Sequence, residues 1–157
     1  MIDLIQEDLI FFEDGKECVD IFKSVAKKLY DKEMVTADFS DALIEREKNY
    51  PTGMDLFVVH NDPRVPNIAI PHAEAAYCHT KNVVLVQLKH AVPFKNMINP
   101  EQKVAVRFLF IILNDEQDAQ VNILANIMDF ANDKQKILAL LETSDAGDIR
   151  RLFNPVG

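Results

Sequence analysis

The sequence predicts an α/β fold, a sandwich of a mixed β-sheet flanked by helices on its faces. Apolar residues recur at helical spacing towards both ends of the chain, and runs rich in β-branched residues lie between them. This order of helices, strands and helices favours packing of helices on both faces of the sheet. The length of 157 residues suits one domain with a substantial core, so we expect a single domain over 1–157.

The N-terminal part of the chain predicts two helices. Residues 2–11 are apolar but irregular, and a strand and a short helix are both open there. Residues 16–30 place apolar side chains at steps of three and four, the pattern of an amphipathic helix. A second helix is expected to follow residues 36–38, whose short polar side chains can cap it, and to end near residue 49.

The rest of the chain predicts a loop, three strands and three helices. Residues 50–67 contain three prolines and predict a loop with a short strand at 56–59. Bulky and β-branched runs predict the strands 68–70, 83–88 and 104–113. The last two runs are almost wholly apolar, which is typical of strands covered on both faces. The closing helices are expected from residue 119, over 134–141, and after a cap near Ser144 and Asp145.

Charge and hydropathy exclude several classes of protein. The chain has 17 basic and 25 acidic residues, a net charge of −8, and no basic stripe, so nucleic-acid binding is disfavoured. Its longest apolar run, 108–113, is far shorter than the ~20 residues of a membrane-spanning helix. The N-terminus lacks the pattern of a secretory signal. We therefore expect a cytoplasmic protein with Cys18 and Cys78 as free thiols.

His72 is the histidine that the sequence singles out. It follows Pro71 at the end of a short apolar strand, and the carboxyl ends of such strands open into the crevice where α/β proteins bind ligands. The proline stiffens the approach to the imidazole. A histidine held by a loop carbonyl, without a function, is the alternative. The remaining histidines are more typical of solvated surface positions: His60, His79 and His90.

Common cofactor motifs are missing from the sequence. The cysteines and histidines show neither CxxC nor HxxxH spacing, so we expect no metal site. The chain also lacks a glycine-rich phosphate loop and a GxSxG motif, which disfavours nucleotide binding and acyl transfer. We expect no cofactor.

Four sequence blocks together resemble the enzyme IIA component of the sugar phosphotransferase system. The blocks are Glu45-Arg46-Glu47, Tyr50-Pro51-Thr52-Gly53, Ile68-Ala69-Ile70-Pro71-His72 and Pro93-Phe94. The resemblance is to the fructose/mannitol class, with galactitol-type members most similar, and extends from about Ile5 to Phe153. Its most specific part is the block that ends in Ala-Ile-Pro-His.

The resemblance implies a phosphotransferase component with a phosphohistidine intermediate. His72 would accept a phosphoryl group on Nε2 from the phosphocarrier protein HPr and pass it to a cysteine of enzyme IIB during sugar or alditol uptake. Membrane association would be indirect, through the IIC transporter. The chemistry suits the residue, because a neutral imidazole is a good nucleophile near pH 7.

Further site residues follow from the same resemblance. Arg46 matches the family's arginine near the site, and a guanidinium can give two parallel hydrogen bonds to phosphoryl oxygens. Thr52, Gly53 and Glu74 are expected to help bind the phosphoryl group. The charge pattern also allows an alternative, a surface ion-pair cluster of Arg46 with the two glutamates beside it.

The chain departs from the family pattern at two places. Many members have a second histidine where this chain has Gln120, whose amide can donate to a phosphoryl oxygen but cannot carry charge. Asn67 replaces a usual glycine, and the longer loop at 56–66 is expected to reshape the rim that partners touch. The alternative function is a regulatory module whose phosphorylation state controls a partner protein, and a member that has lost transfer is a third possibility.

Overall fold

One mixed sheet organises the chain. The structure, a computed structural model, describes residues 5–116 and 120–153, without the side chains of Gln120 and Val121. The strands are β1 (Ile10–Glu13), β2 (Gly53–Met54), β3 (Asn67–Ala69), β4 (Asn82–Lys95) and β5 (Lys103–Leu113). The helices are α1 (Cys18–Asp31), α2 (Phe39–Asn49), α3 (Leu56–His60), α4 (Gln120–Ala131), α5 (Lys134–Leu141) and α6 (Ala146–Leu152).

The five strands lie in the order β1-β4-β5-β3-β2. The long β4–β5 hairpin forms the antiparallel centre of the sheet. On either side of it a strand joins in parallel, β1 beside β4 and β3 beside β5, and β2 closes the far edge antiparallel to β3. The short strand β3 is therefore flanked on both sides, and the chain that leaves it stays against the sheet.

Side chains of the central strands point alternately to the two faces of the sheet and pack into two separate hydrophobic cores. On one face they pack with α1 and α2, where Phe22 and Phe39 are fully buried. On the other face they pack with α3 to α6, where Phe130 stacks on Phe153 with ring centroids 4.4 Å apart. Burial of apolar surface on both faces drives this arrangement. The predicted sandwich of a mixed sheet between helices is confirmed.

Most of the predicted elements are present. The helix predicted over 16–30 is α1, the helix predicted to end near residue 49 is α2, and the predicted strands are β3, β4 and β5. The closing helices are α4 to α6, and Asp145 caps the last one by accepting a hydrogen bond from the Asp148 N–H. Within the described part of 2–11, a short 3₁₀ turn at Glu7–Leu9 leads into β1.

Two local predictions are wrong. The strand expected at 56–59 is the helix α3, because Asp55 accepts a hydrogen bond from the Val58 N–H and Asn61 closes the turn in the left-handed conformation. Side-chain capping of α2 by residues 36–38 is also wrong. Asp38 makes no side-chain cap, and the Phe39 N–H donates instead to the backbone carbonyl of Thr36. No helix in the described ranges is long and apolar enough to cross a membrane.

Gly53 lies where the edge of the sheet touches the end of β4. A Cβ atom at this position would be 2.6 Å from the carbonyl oxygen of Lys95, so even alanine requires the backbone to move. We predict that Gly53→Ala lowers the free energy of unfolding by roughly 1–3 kcal/mol, as measured by urea denaturation.

Gly147→Ala is the matched control for that measurement. Gly147 lies within α6, where a Cβ would meet only the ends of the Asp145 and Glu7 side chains, each at 3.2 Å. Alanine is the better helix former by up to ~1 kcal/mol, which offsets a small shift of the capping Asp145 side chain, so this variant should lose clearly less stability than Gly53→Ala. Equal destabilisation by the two substitutions would contradict the close contact at Gly53.

Candidate functional site

The backbone around His72 is held against the centre of the sheet. β3 ends at Ala69, and the next residues continue beside β5, where the carbonyl of Pro71 accepts a hydrogen bond from the Ile112 N–H at 3.0 Å. His72 itself forms a parallel bridge with Ile112. Its side chain is half-buried just beyond the carboxyl end of β3, as the sequence predicted.

The hydrogen bonds of His72 select one tautomer. Nδ1 lies 3.1 Å from the carbonyl oxygen of Ile70, and a carbonyl can only accept, so Nδ1 carries the proton. Nε2 is then the nitrogen with the free lone pair. Burial lowers the pKa of His72 below its usual value, with a further contribution from the positive charge of Arg46. The imidazole is therefore neutral and nucleophilic at Nε2 near pH 7.

Arg46 brings a permanent positive charge to this nitrogen. It lies in the last turn of α2, with Nη2 3.4 Å from Nε2 of His72, longer than a usual hydrogen bond. Its guanidinium lies over the Tyr50 ring, with Cζ 4.7 Å from the centroid, a cation–π contact. Its Nε is buried and has no hydrogen-bond partner among the described residues. The Arg46 guanidinium therefore lies beside His72 and is not held by hydrogen bonds to other described residues.

The alternative of a surface ion-pair cluster at Arg46 is wrong. Within the described ranges, Arg46 forms no ion pair. Glu45 accepts a hydrogen bond from Asn49 at the surface, and Glu47 points the other way, into the protein. Neither Glu45 nor Glu47 therefore neutralises the charge of the Arg46 guanidinium through an ion pair.

Glu47 is the residue that the sequence analysis did not identify as part of the site. It is only 8% exposed, and its carboxylate accepts two hydrogen bonds from Thr52, one from the N–H and one from the hydroxyl, both at 2.7 Å. The signal in the sequence is its spacing, because Glu47 follows the buried Phe39 and Leu43 at steps of four on the same helix face.

Thr52 connects Glu47 to the segment that carries His72. Its hydroxyl donates to Glu47 and accepts a hydrogen bond from the Ile70 N–H at 3.1 Å. Ile70 is the residue whose carbonyl holds Nδ1 of His72. In this structure the Thr52 hydroxyl therefore supports the site from behind, and its direct contact with a phosphoryl group stays a prediction.

The other predicted site residues lie in different settings. Gly53 is buried in the edge strand β2, and its carbonyl accepts a hydrogen bond from the Met97 N–H. Glu74 is exposed two residues after His72, and its carboxylate has no hydrogen-bond or ion-pair partner among the described residues. Gln120 begins α4, but its side chain lies outside the description. The phosphoryl-binding roles of Gly53 and Glu74 and the catalytic role of Gln120, as a donor to the phosphoryl group, stay predictions.

The remaining histidines and the cysteines lie apart from this arrangement. His79 and His90 are exposed as predicted, but the solvated surface position predicted for His60 is wrong: its side chain is half-buried, with Nε2 2.7 Å from the carbonyl oxygen of Ala131. Cys18 and Cys78 are free thiols. Over residues 5–116 and 120–153, no group of three or more histidine, cysteine or acidic side chains could hold a metal ion.

Solved structures with this fold cover almost the whole chain. The IIA mannitol protein of Escherichia coli has a TM-score of 0.74 at 18% identity, covering 94% of this chain and 97% of that one. The complex of enzyme IIAMTL with phosphorylated enzyme IIBMTL, also from Escherichia coli, gives 0.74 at 16%, with 94% and 95% covered. The nitrogen regulatory protein IIA-Ntr of Neisseria meningitidis gives 0.70 at 20%, with 97% of each chain covered.

A family model extends this likeness from the fold to the sequence. Residues 3–155 match the model described as phosphoenolpyruvate-dependent sugar phosphotransferase system, EIIA 2. The chain therefore belongs to the EIIA 2 family of that system, a family of phosphotransferase components. A search of curated protein sequences finds no match.

The burial of Glu47 predicts how the stability of the fold depends on pH. Burial raises the pKa of this carboxyl from 4.5 to about 7. The folded chain therefore keeps the proton to higher pH than the unfolded chain does, and stability falls as pH rises from about 4.5 to about 7. Glu47→Gln removes this group, so its stability relative to wild type should rise across that window by on the order of 3 kcal/mol.

Urea denaturation across this pH range measures the effect. Glu45→Gln is the control, because Glu45 is an exposed glutamate in the same helix turn. Its stability relative to wild type should stay constant across the window. A constant difference for Glu47→Gln as well would contradict the raised pKa of Glu47.

Proposed function

We propose that this protein is a phosphoryl carrier in which His72 accepts a phosphoryl group from phospho-HPr and donates it to a cysteine of a cognate enzyme IIB. The observation that carries the proposal is the hydrogen bond between Nδ1 of His72 and the Ile70 carbonyl, because it leaves Nε2 unprotonated. Family membership supports the reaction class, and the position of Arg46 supports the phosphoryl group as the ligand.

The proposed transfer needs no proton movement at His72. The Nε2 lone pair forms a bond to phosphorus while the bond from phosphorus to the donor nitrogen breaks, and that electron pair stays on the donor imidazole. Nδ1 keeps its proton and its bond to Ile70 throughout. In the second transfer the thiolate of enzyme IIB attacks the same phosphorus, and the electron pair of the breaking P–N bond returns to Nε2.

Arg46 supplies the electrostatic part of the proposed reaction. A loose phosphoryl-transfer transition state spreads negative charge over three equatorial oxygens, and positioned donors stabilise that charge. A group on Nε2 of His72 would place those oxygens beside the guanidinium, whose Nη2 is already within 3.4 Å.

The finer assignments of partner and sugar rest on sequence blocks and on neighbours in fold. A similar protein, enzyme IIAMTL, has been solved in complex with phosphorylated enzyme IIBMTL, which supports a IIB partner here. The sequence blocks favour a galactitol-type system, in which this chain would act in the cytoplasm and associate with the membrane through IIC. The similar solved structures also include mannitol proteins.

A regulatory role is the second candidate, because IIA-Ntr of Neisseria meningitidis has the same fold. Both roles would use a phosphorylated His72, so the step that separates them is the onward transfer. Mixing the phosphorylated protein with a IIB encoded beside it should move the label to the IIB cysteine if the protein is a transport carrier. Label that stays on this chain would favour the regulatory role.

Labelling tests the phosphoryl acceptor directly. Incubation with radiolabelled phosphoenolpyruvate, enzyme I and HPr should give an acid-labile phosphate on the wild type and none on His72→Ala. His79→Ala is the control, because His79 is exposed and has no place in the site, and it should label normally. A wild type that never accepts label, or a His72→Ala variant that labels equally well, would overturn the proposal.

Arg46→Ala should slow transfer from phospho-HPr by roughly a hundredfold, the scale of losing one preorganised donor. Quenched-flow labelling at matched protein concentrations measures the rate. Arg151→Ala, which removes an exposed arginine on α6, should leave the rate unchanged. An Arg46→Ala rate within twofold of wild type would remove Arg46 from the site.

A further inference from the structure

The carboxylate of Glu47 is buried and has Thr52 as its hydrogen-bond partner. Both oxygens accept hydrogen bonds from Thr52, and no ion pair to Glu47 exists among the described residues. Burying a carboxylate in this way lowers the stability of the fold. Stability therefore does not explain a glutamate at position 47, and a role in the site is the alternative. On its far side Glu47 borders a largely apolar cavity of about 320 Å³. The titratable and charged groups that share this cavity are Cys18 from α1, Lys48 from α2, Lys95 from β4 and Lys103 from β5.

The ionised carboxylate determines which way the Thr52 hydroxyl points. A carboxylate can only accept, so the hydroxyl donates its single proton to Glu47. The lone pairs of Oγ1 then face away from Glu47, and one of them accepts the Ile70 N–H. A continuous chain of hydrogen bonds thus runs from Glu47 through Thr52 and Ile70 to Nδ1 of His72.

We propose that Glu47 is a positioning residue for phosphoryl transfer, which as a carboxylate holds Thr52 and Ile70 in the arrangement that keeps Nε2 of His72 unprotonated and aimed outward. The inference rests on the proposed function, because it concerns the rate of that same transfer. Glu47 does not touch the phosphoryl group. Its effect passes through the backbone of Ile70, whose N–H and carbonyl are both in the chain.

Protonation of Glu47 breaks this arrangement in a defined way. A neutral carboxyl has one acceptor oxygen in place of two, so either the Thr52 hydroxyl or the Thr52 N–H loses its buried acceptor. Burial raises the pKa of Glu47 to about 7, whereas the pKa of His72 is lowered from 6.5. The positioning effect is therefore present above about pH 7 and is lost as pH falls, before His72 itself gains a proton.

The experiment compares transfer rates of Glu47→Gln and wild type across pH. Both accept label from the same phospho-HPr, so the pH dependence of the donor cancels in the ratio of rates. Glutamine keeps the size of the side chain but presents an NH₂ group to Thr52, and transfer should be ten- to a hundredfold slower at pH 8, the scale of a small misplacement. The ratio of wild-type to variant rate should fall towards one as pH drops below about 7.

Three further variants separate positioning from general damage. Glu45→Gln changes an exposed glutamate on the same helix, and its rate ratio should be near one at every pH. Thr52→Val removes the hydroxyl and should be as slow as Glu47→Gln, with the same loss of pH dependence. Thr52→Ser restores the hydroxyl and should recover most of the rate. The melting temperature of each variant shows that it is folded.

Each outcome decides one claim. A Glu47→Gln rate ratio that is close to one at pH 8, or that is large but independent of pH, would overturn the positioning role while leaving His72 as the carrier. Equal slowing by Thr52→Ser and Thr52→Val would overturn the part assigned to the hydroxyl. A wild type that accepts no label at all would overturn the proposed function itself.

Discussion

The hydrogen bond between Nδ1 of His72 and the carbonyl of Ile70 is the constraint on which the site depends. It assigns the proton of a neutral imidazole to one nitrogen and leaves the other free. Without this bond the imidazole could adopt either neutral tautomer, and the free lone pair would be on Nδ1 in one of them and on Nε2 in the other. With it, the outward nitrogen keeps the free lone pair, and the arginine charge lies on that side of the ring.

The fold maintains that bond by holding the backbone of Ile70 and its successors from two directions. The carbonyl of Pro71 is bonded to β5 in the middle of the sheet, and the N–H of Ile70 is bonded to Thr52 at the edge. The last turn of α2 contributes to both sides of the site from adjacent residues. Arg46 faces the imidazole from the outside, and Glu47 faces Thr52 from the inside. The end of α2 therefore supplies both the positive charge beside Nε2 of His72 and the carboxylate that holds Thr52.

The sequence predicts the layers of the fold well because apolar periodicity reflects burial directly. The continuous apolar runs of β4 and β5 and the helical spacing of α1 are present as expected. The segment at 56–59 has residues typical of a strand, since Phe57 is aromatic and Val58 and Val59 are β-branched. The cap at Asp55 and the left-handed turn at Asn61 outweigh that preference.

The sequence predicts the individual residues His72 and Arg46 of the site, but it does not predict the hydrogen bond between Glu47 and Thr52. His72 and Arg46 are brought together as expected, since the strand end points to His72 and the resemblance to enzyme IIA points to Arg46. For Glu47 the charge pattern offers only the alternative of a surface ion pair with Arg46, whereas the structure buries its side chain. Its partner Thr52 lies five residues away across a bend, and a hydrogen bond of that kind depends on the backbone path and leaves no periodic signal. The spacing from Leu43 was the available clue to its burial.

The tautomer of His72 is the central claim, and nitrogen NMR measures it most directly. A long-range proton–nitrogen correlation spectrum of the unphosphorylated protein at pH 7.5, assigned with His72→Ala, distinguishes a protonated from an unprotonated ring nitrogen. We expect the proton on Nδ1 and, after phosphorylation, phosphorus coupling at Nε2. A proton resident on Nε2, or phosphate on Nδ1, would contradict the account.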